Sequence, residues 1–239
     1  MKTLYTIAAP PSVCSYLPEQ QSSYRYDIVE QISAAEYEAL MHSGWRRFGP
    51  TIFRPVCVSC TRCLPLRILV NEFDETTSLR RVRRLAEPQL RLTITTPSVT
   101  DEKLALYNTF HDFQSGFKDW PTRFIEEDDY YQSHVLNPFP TEEWQYHLDG
   151  ELVGVGYVDS LITAMSMIYF FYHPDVRKFS PGTWNIMKGI DEARRRGMTY
   201  LNLGYYVQGC RSVEYKGRFK PHQTYDWATQ TWVTPPNVR

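Results

Sequence analysis

The chain has 239 residues, 42% hydrophobic and 22% charged, the make-up of an ordinary globular protein that can bury a core in one large domain or two small ones. A disordered or fibrous chain is excluded, and no apolar stretch approaches the length of a bilayer span, so no membrane partner is expected. The net charge of −1 is an average over blocks: +6 from Arg46 to Arg91, −9 from Asp101 to Glu151 and +7 from Arg177 to Lys220. Two basic blocks flanking an acidic one suit a positive face turned toward a polyanion, and they equally suit ordinary solvated surfaces.

The first 17 residues have no continuous apolar core before Pro10-Pro11, so no secretory signal is expected and the cytoplasm is the default compartment. Ser33 to Ser43 reads as a helix with Tyr37, Leu40 and Met41 on one face. Leu90 to Thr95 alternates apolar and polar residues, as a half-buried strand does. Ser98 with Asp101 resembles an N-terminal capping pair, and the helix beyond places Leu104, Tyr107 and Phe110 or His111 on one side. Two prolines between His134 and Pro140 break regular structure and divide the chain into a mixed α/β region over 1–135 and a domain over 136–239.

In the second part Trp144 to Leu148 is a strand, Asp149-Gly150 a hairpin turn and Leu152 to Val158 the returning strand. Gly154 and Gly156 on that strand leave room for another backbone or a ligand. Ala164 to Tyr172 is a third strand. Pro181 opens a helix running to about Arg196, with Trp184, Met187, Ile190 and Ala193 inward, and Gly197 stops it before a strand from Tyr200 to Leu203. The class is α+β, and hairpin, strand, helix, strand is the order of a GCN5-related acyltransferase.

Three groups of residues carry candidate chemistry. Cys57-x-x-Cys60-x-x-Cys63, with Cys14 as a fourth partner, can converge on zinc or an iron–sulfur cluster; the alternative is four free buried thiols. Cys210 stands alone and reads as core. Arg80-Arg81-Val82-Arg83-Arg84 is the densest positive run, suited to phosphate or to an acidic side chain. Gly204-Tyr205, then Tyr215-Lys216-Gly217-Arg218, begins where a strand ends, the usual place for a site in an α/β domain. Tyrosines there can position a ribose or carbonyl, and a lysine can hold a phosphate or an oxyanion.

Taken together these residues resemble a known family. Cys14-Ser15-Tyr16-Leu17-Pro18, Gly44-Trp45-Arg46-Arg47, the run from Phe53 to Ile68 and the elements Gly204-Tyr205 and Tyr215-Lys216…Phe219…Pro221 are similar, in order and spacing, to the arginyl- and leucyl-tRNA–protein transferases. The nearest branch is the bacterial aspartate/glutamate leucyltransferases. The resemblance implies transfer of leucine, or arginine, from charged tRNA to an N-terminal Asp or Glu, marking proteins for degradation in the N-degron pathway. It also implies a GCN5-related fold in the C-terminal domain, and no cofactor for the chemistry. In eukaryotic relatives the N-terminal cysteines bind metal or an iron–sulfur cluster. Two departures leave the donor and acceptor open: Gln114-Ser115 stands where bacterial relatives carry Arg-His, and Gln223 where an acid is common. Nothing in the sequence sets an oligomeric state.

These readings place Tyr205, Tyr215 and Lys216 at the ester as catalytic residues. Arg80, Arg81 and Arg84, with Arg47 and Arg54, are expected to bind the acceptor carboxylate or tRNA phosphates in a shared groove. His173, Asp159 and Glu214 are candidate bases, none preferred. The rivals are an acetyl-CoA-dependent N-acetyltransferase and a non-catalytic tRNA-binding module. The turn Arg177 to Gly182 disfavours acetyl-CoA, since it has one glycine and a proline without an N–H.

Overall fold

The computed structural model describes residues 1–118 and 124–235. Strand β1 (Lys2–Ala8) opens the chain and a ribbon of β2 (Ser12–Val13) and β3 (Gln21–Ser22) follows. Strand β4 (Tyr24–Gln31), helix α1 (Ala34–His42) and strands β5 (Arg46–Phe48) and β6 (Thr51–Pro55) come next. They form with β1 an antiparallel sheet of order β1-β4-β6-β5. Helix α1 starts where the sequence predicts, because Ser33 and Glu36 cap each other's backbone N–H groups in a capping box. Its buried face is Tyr37, Glu38 and Met41, with Leu40 half-buried. The Glu38 carboxylate accepts the N–H groups of Ile162 (2.9 Å) and Thr163 (3.0 Å), which ties this helix to the larger sheet.

That sheet is built from β7 (Leu64–Leu69), then β8 (Leu90–Thr95) after helix α2 (Thr77–Ala86). Helices α3 (Asp101–Lys118) and α4 (Glu127–Tyr130) lead to the hairpin β9 (Thr141–Leu148) and β10 (Glu151–Ser160). Strand β11 (Ala164–Tyr172), helix α5 (Pro181–Arg195), and strands β12 (Tyr200–Tyr206), β13 (His222–Asp226) and β14 (Thr231–Val233) complete it. The order is β14-β13-β7-β12-β11-β10-β9-β8. Only β11 and β12 run parallel among the described strands, and α5 makes the crossover between them that a parallel pair requires. The hairpin, strand, helix, strand order expected over 136–239 is present. Asp149 and Gly150, both at positive φ, make the turn.

Helices α2 and α5 bury Leu79, Ala86, Trp184, Met187 and Ile190 against one face of the sheet. Helix α3 buries Leu106, Tyr107 and Phe110 against Val155, Tyr157 and Phe171 on the other. The three-layer core follows from the apolar alternation of β10 and β11.

Three expectations change. The division at 135/136 does not separate two sheets: β7 and β8 precede it, and β7 lies between β12 and β13. The cap of α3 is Thr100, whose Oγ1 accepts the Lys103 N–H at 3.3 Å, while Ser98 instead accepts from Lys103 Nζ at 2.7 Å. Gly154 and Gly156 make room chiefly for side chains: a Cβ there would sit 3.4 Å from the Phe170 ring, with the Phe171 carbonyl at 3.5 Å, and 3.3 Å from Asn185 Oδ1.

Candidate active site

Strands β11 and β12 pair only over Ala164–Ser166 and Tyr200–Asn202. Beyond that point the ladder stops, and Gly204, at φ +81°, turns β12 away. A pocket of about 420 Å³ fills the gap. Its walls are β11 from Met167 to Phe170 with Tyr172, the start of α5, Phe110 and Gln114 of α3, and the turn carrying Tyr215, Lys216 and Arg218. Arg177 completes it, its guanidinium 4.9 Å from the Phe113 ring. Among the described residues the charged side chains lining the pocket are Arg177, Lys216 and Arg218, with no Asp or Glu. The N-terminus of α5 adds a partial positive charge, since the N–H groups of its first turn have no carbonyl within the helix.

Lys216 is half-buried, and its Nζ donates to the Tyr205 carbonyl at 3.1 Å. Burial, then the nearby Arg46 guanidinium, push its ammonium down to about 7, against a weaker opposite effect of Cys210. A Cβ on Gly204 would lie 3.5 Å from Lys216 Nζ and 3.6 Å from Arg46 Nη2, so a side chain there would wedge between the two cations. Among the described residues no carboxylate is within ion-pair distance of Lys216. Burial, followed by the nearby Tyr172, raises the Tyr215 phenol to about 12, so it is a hydroxyl donor in the pocket.

Of the three expected catalytic residues, Tyr215 and Lys216 line the pocket and Tyr205 does not. The Tyr205 ring is buried with Cys14, Cys63 and Cys210, its hydroxyl pKa raised by burial; it reaches the site through its carbonyl, by holding Lys216. The expected arginine wall is not part of the pocket. Arg80, Arg81 and Arg84 are exposed on α2, while Arg83 is engaged with Glu75 and Asp191. Arg47 is buried in a bidentate pair with Asp159 (2.8 and 2.7 Å) and also donates to Gly49 O, Asn137 and Thr141. Arg54 stacks 4.8 Å from the Trp45 ring. None of the three candidate bases lines the pocket: Asp159 is in the Arg47 pair, Glu214 accepts the Gly209 N–H, and His173 caps the turn at Asp175. The pocket residues to which sequence reasoning gave no part in the site include Gln114 and Arg177, while Arg218 lay in the group with Tyr215 and Lys216. Gln114 was visible only as a departure from the family's Arg-His.

The four cysteines do come together. Cys14, Cys57, Cys60 and Cys63 line one cavity of about 130 Å³ with Leu17 and Trp227. Burial, then the neighbouring Cys14, push the Cys63 thiol up to about 12. Cys57 Sγ is engaged by Ser23, accepting its N–H at 3.4 Å. Among the described residues no three His, Cys, Asp or Glu side chains form a group that could hold a metal ion. The thiols line one cavity without forming such a group among the described residues. Cys210 lies outside that cavity, buried beside Ser212, as a core residue.

Parted strands over a basic pocket, headed by a helix N-terminus and a lysine held near neutrality, equip a protein for acyl transfer. The enzyme is an aminoacyltransferase. Models of the arginine-tRNA-protein transferase N terminus and C terminus match residues 12–81 and 102–226. The chain belongs to that arginine-tRNA-protein transferase family. It is 34% identical over 212 residues to an aspartate/glutamate leucyltransferase of Campylobacter jejuni, covering 88% of each chain. It is 33% identical to one of Marinobacter nauticus, covering 92% of each. Among solved structures it shows remote similarity to L-PGS from Bacillus licheniformis (15% identity, TM-score 0.47, 75% of this chain and 52% of that). FemX is similarly remote (11%, TM-score 0.47, 95% of this chain and 83% of that).

Proposed function

We propose that this protein moves leucine from leucyl-tRNA to the α-amine of proteins beginning with Asp or Glu, marking them for degradation in a cytoplasmic N-degron pathway. The observation that carries this reading is the make-up of the pocket among the described residues: three cations, no carboxylate, and apolar walls that include Met167, Phe170, Ile186 and Leu203. The cations suit an acidic acceptor side chain and the phosphates of a tRNA end. The apolar walls suit leucine. An arginyl donor would bring a further cation to a pocket with nothing to pair it, so leucine is favoured over arginine. The name shared by the relatives agrees.

In the proposed reaction the acceptor's neutral α-amine attacks the carbonyl carbon of the aminoacyl ester. As the C–N bond forms, Nζ of Lys216 takes the proton leaving the nitrogen. As the bond to the ribose oxygen breaks, Nζ returns that proton to the oxygen, and the lysine is neutral again. The oxyanion between these steps is stabilised by the first N–H groups of α5 and the Tyr215 hydroxyl.

The test incubates the protein with separately charged tRNAs and with peptides beginning Asp, Glu, Lys or Ala, and reads the peptides by mass spectrometry. Leucine should appear only on the Asp and Glu peptides. Acetyl transfer from acetyl-CoA, or tRNA binding without any transfer, would replace the proposal with one of its rivals.

A further inference from the structure

Gln114 is a buried residue, 2% exposed, on α3 at the wall of the pocket. Its amide lies within hydrogen-bonding reach of the Tyr172 phenol. Its Oε1 has no hydrogen-bond partner among the described residues. A buried carbonyl oxygen without a donor is a cost that a leucine or methionine of the same length would remove, so its presence points to a donor supplied by a ligand.

The surroundings narrow what that donor is. The charged lining of the pocket is all positive, which disfavours an ammonium and holds an entering amine in its neutral form. An N-terminal acidic residue presents both matching features, a carboxylate for the cations and an N–H-bearing α-amine for the unpartnered Gln114 oxygen. Building on the reading above, we propose that Gln114 Oε1 accepts a hydrogen bond from the acceptor's neutral α-amine and so turns its lone pair toward the ester. Gln114 is then a substrate-orienting residue that makes the enzyme specific for a free N-terminus.

The test compares a peptide beginning with Asp and the same peptide beginning with succinyl, which keeps the carboxylate and lacks the amine. Binding to the full chain is measured for both, with KM for leucyl-tRNA alongside. The wild type should hold the Asp peptide about tenfold more tightly than the succinyl peptide, an advantage of the size one hydrogen bond gives. Gln114→Met should hold the two alike, with KM for leucyl-tRNA within about twofold of wild type. A preference that survives in Gln114→Met overturns the proposal, as does a loss confined to leucyl-tRNA, which would give the oxygen to the donor instead. Should Gln114→Met not fold, Gln114→Glu decides: its carboxylate would keep the amine protonated, so the pH profile of transfer should move to higher pH, and an unmoved profile overturns the assignment. Failure of the underlying reading is distinct, since wild-type enzyme would then leucylate no peptide at all.

Discussion

Two cations of this molecule, one buried and one half-buried, meet opposite fates. Arg47, on β5, reaches across to β10 with every part of its guanidinium engaged: Asp159 on two atoms, Asn137, Thr141 and a backbone carbonyl. Lys216, on the turn after β12, has one carbonyl and a neighbouring arginine. The first arrangement offsets the cost of burying charge and fixes how the small sheet meets the large one. The second leaves that cost in place, and the ammonium answers by yielding its proton near neutral pH. A saturated buried cation serves as a joint between layers, whereas an unsaturated one facing a pocket is chemically active.

The sharpest way to break this contrast is Lys216→Arg, which keeps the charge but cannot give up its proton. Transfer should fall by about 10² to 10⁴-fold, the usual worth of acid–base catalysis, with the fold intact by circular dichroism. A variant keeping most of its activity would reduce Lys216 to a fixed charge. In the wild type kcat/KM should rise with pH through about 7, because the deprotonated lysine is the active form. The acceptor α-amine, ordinarily near pH 7.7–8.0, adds a second rise in the same direction. Changing the peptide should shift that second limb and leave the first where it is.

The partner change is Asp159→Ala, which leaves Arg47 buried without its carboxylate. Unfolding in urea should show a loss of about 3–5 kcal/mol, as for other broken buried pairs. A loss below about 1 kcal/mol would mean that Asn137, Thr141 and Gly49 suffice to hold Arg47. The smallest effect is expected on α2. Replacing Arg80, Arg81 and Arg84 together with glutamine should raise KM for leucyl-tRNA several-fold and flatten its salt dependence, by up to about one unit of log–log slope for each phosphate no longer neutralised. Peptide KM should stay within about twofold. A selective loss of peptide recognition would bring the α2 arginines back to the acceptor.

Much of the scaffold was legible because local signals agreed. The observed α5, Pro181 to Arg195, ends one residue short of the expected bound, since the proline, the apolar stripe and Gly197 all point the same way. Strand β11 runs from Ala164 to Tyr172 as predicted, from its run of aromatic residues beside Ile168. Strand β7 was not anticipated. Leu64-Pro65-Leu66-Arg67-Ile68-Leu69 shows no clean alternation, as in a strand with neighbours on both sides, and its proline argues against a central strand; Pro65 is accommodated near the start of β7, outside the stretch Leu66–Ile68 that pairs with β13. With β7 hidden, the joining of the two expected domains into one sheet was hidden too.

The site divides the same way. That Tyr215 and Lys216 lie together was legible because they are adjacent on one turn, and that the four cysteines do because three of them fall within seven residues. Gln114 and Arg177 could not be found that way, since α3 and the turn before α5 meet over β11 only after the sheet forms. The arginine run could not be placed relative to the pocket for the converse reason: density of charge along the chain says nothing of which way a helix face points. Sequence by itself determined local elements and short-range motifs, whose energies depend on neighbours in the chain. Tertiary structure alone decided which cations are saturated and which are left open, because that depends on partners more than a hundred residues away, as Asp159 is from Arg47.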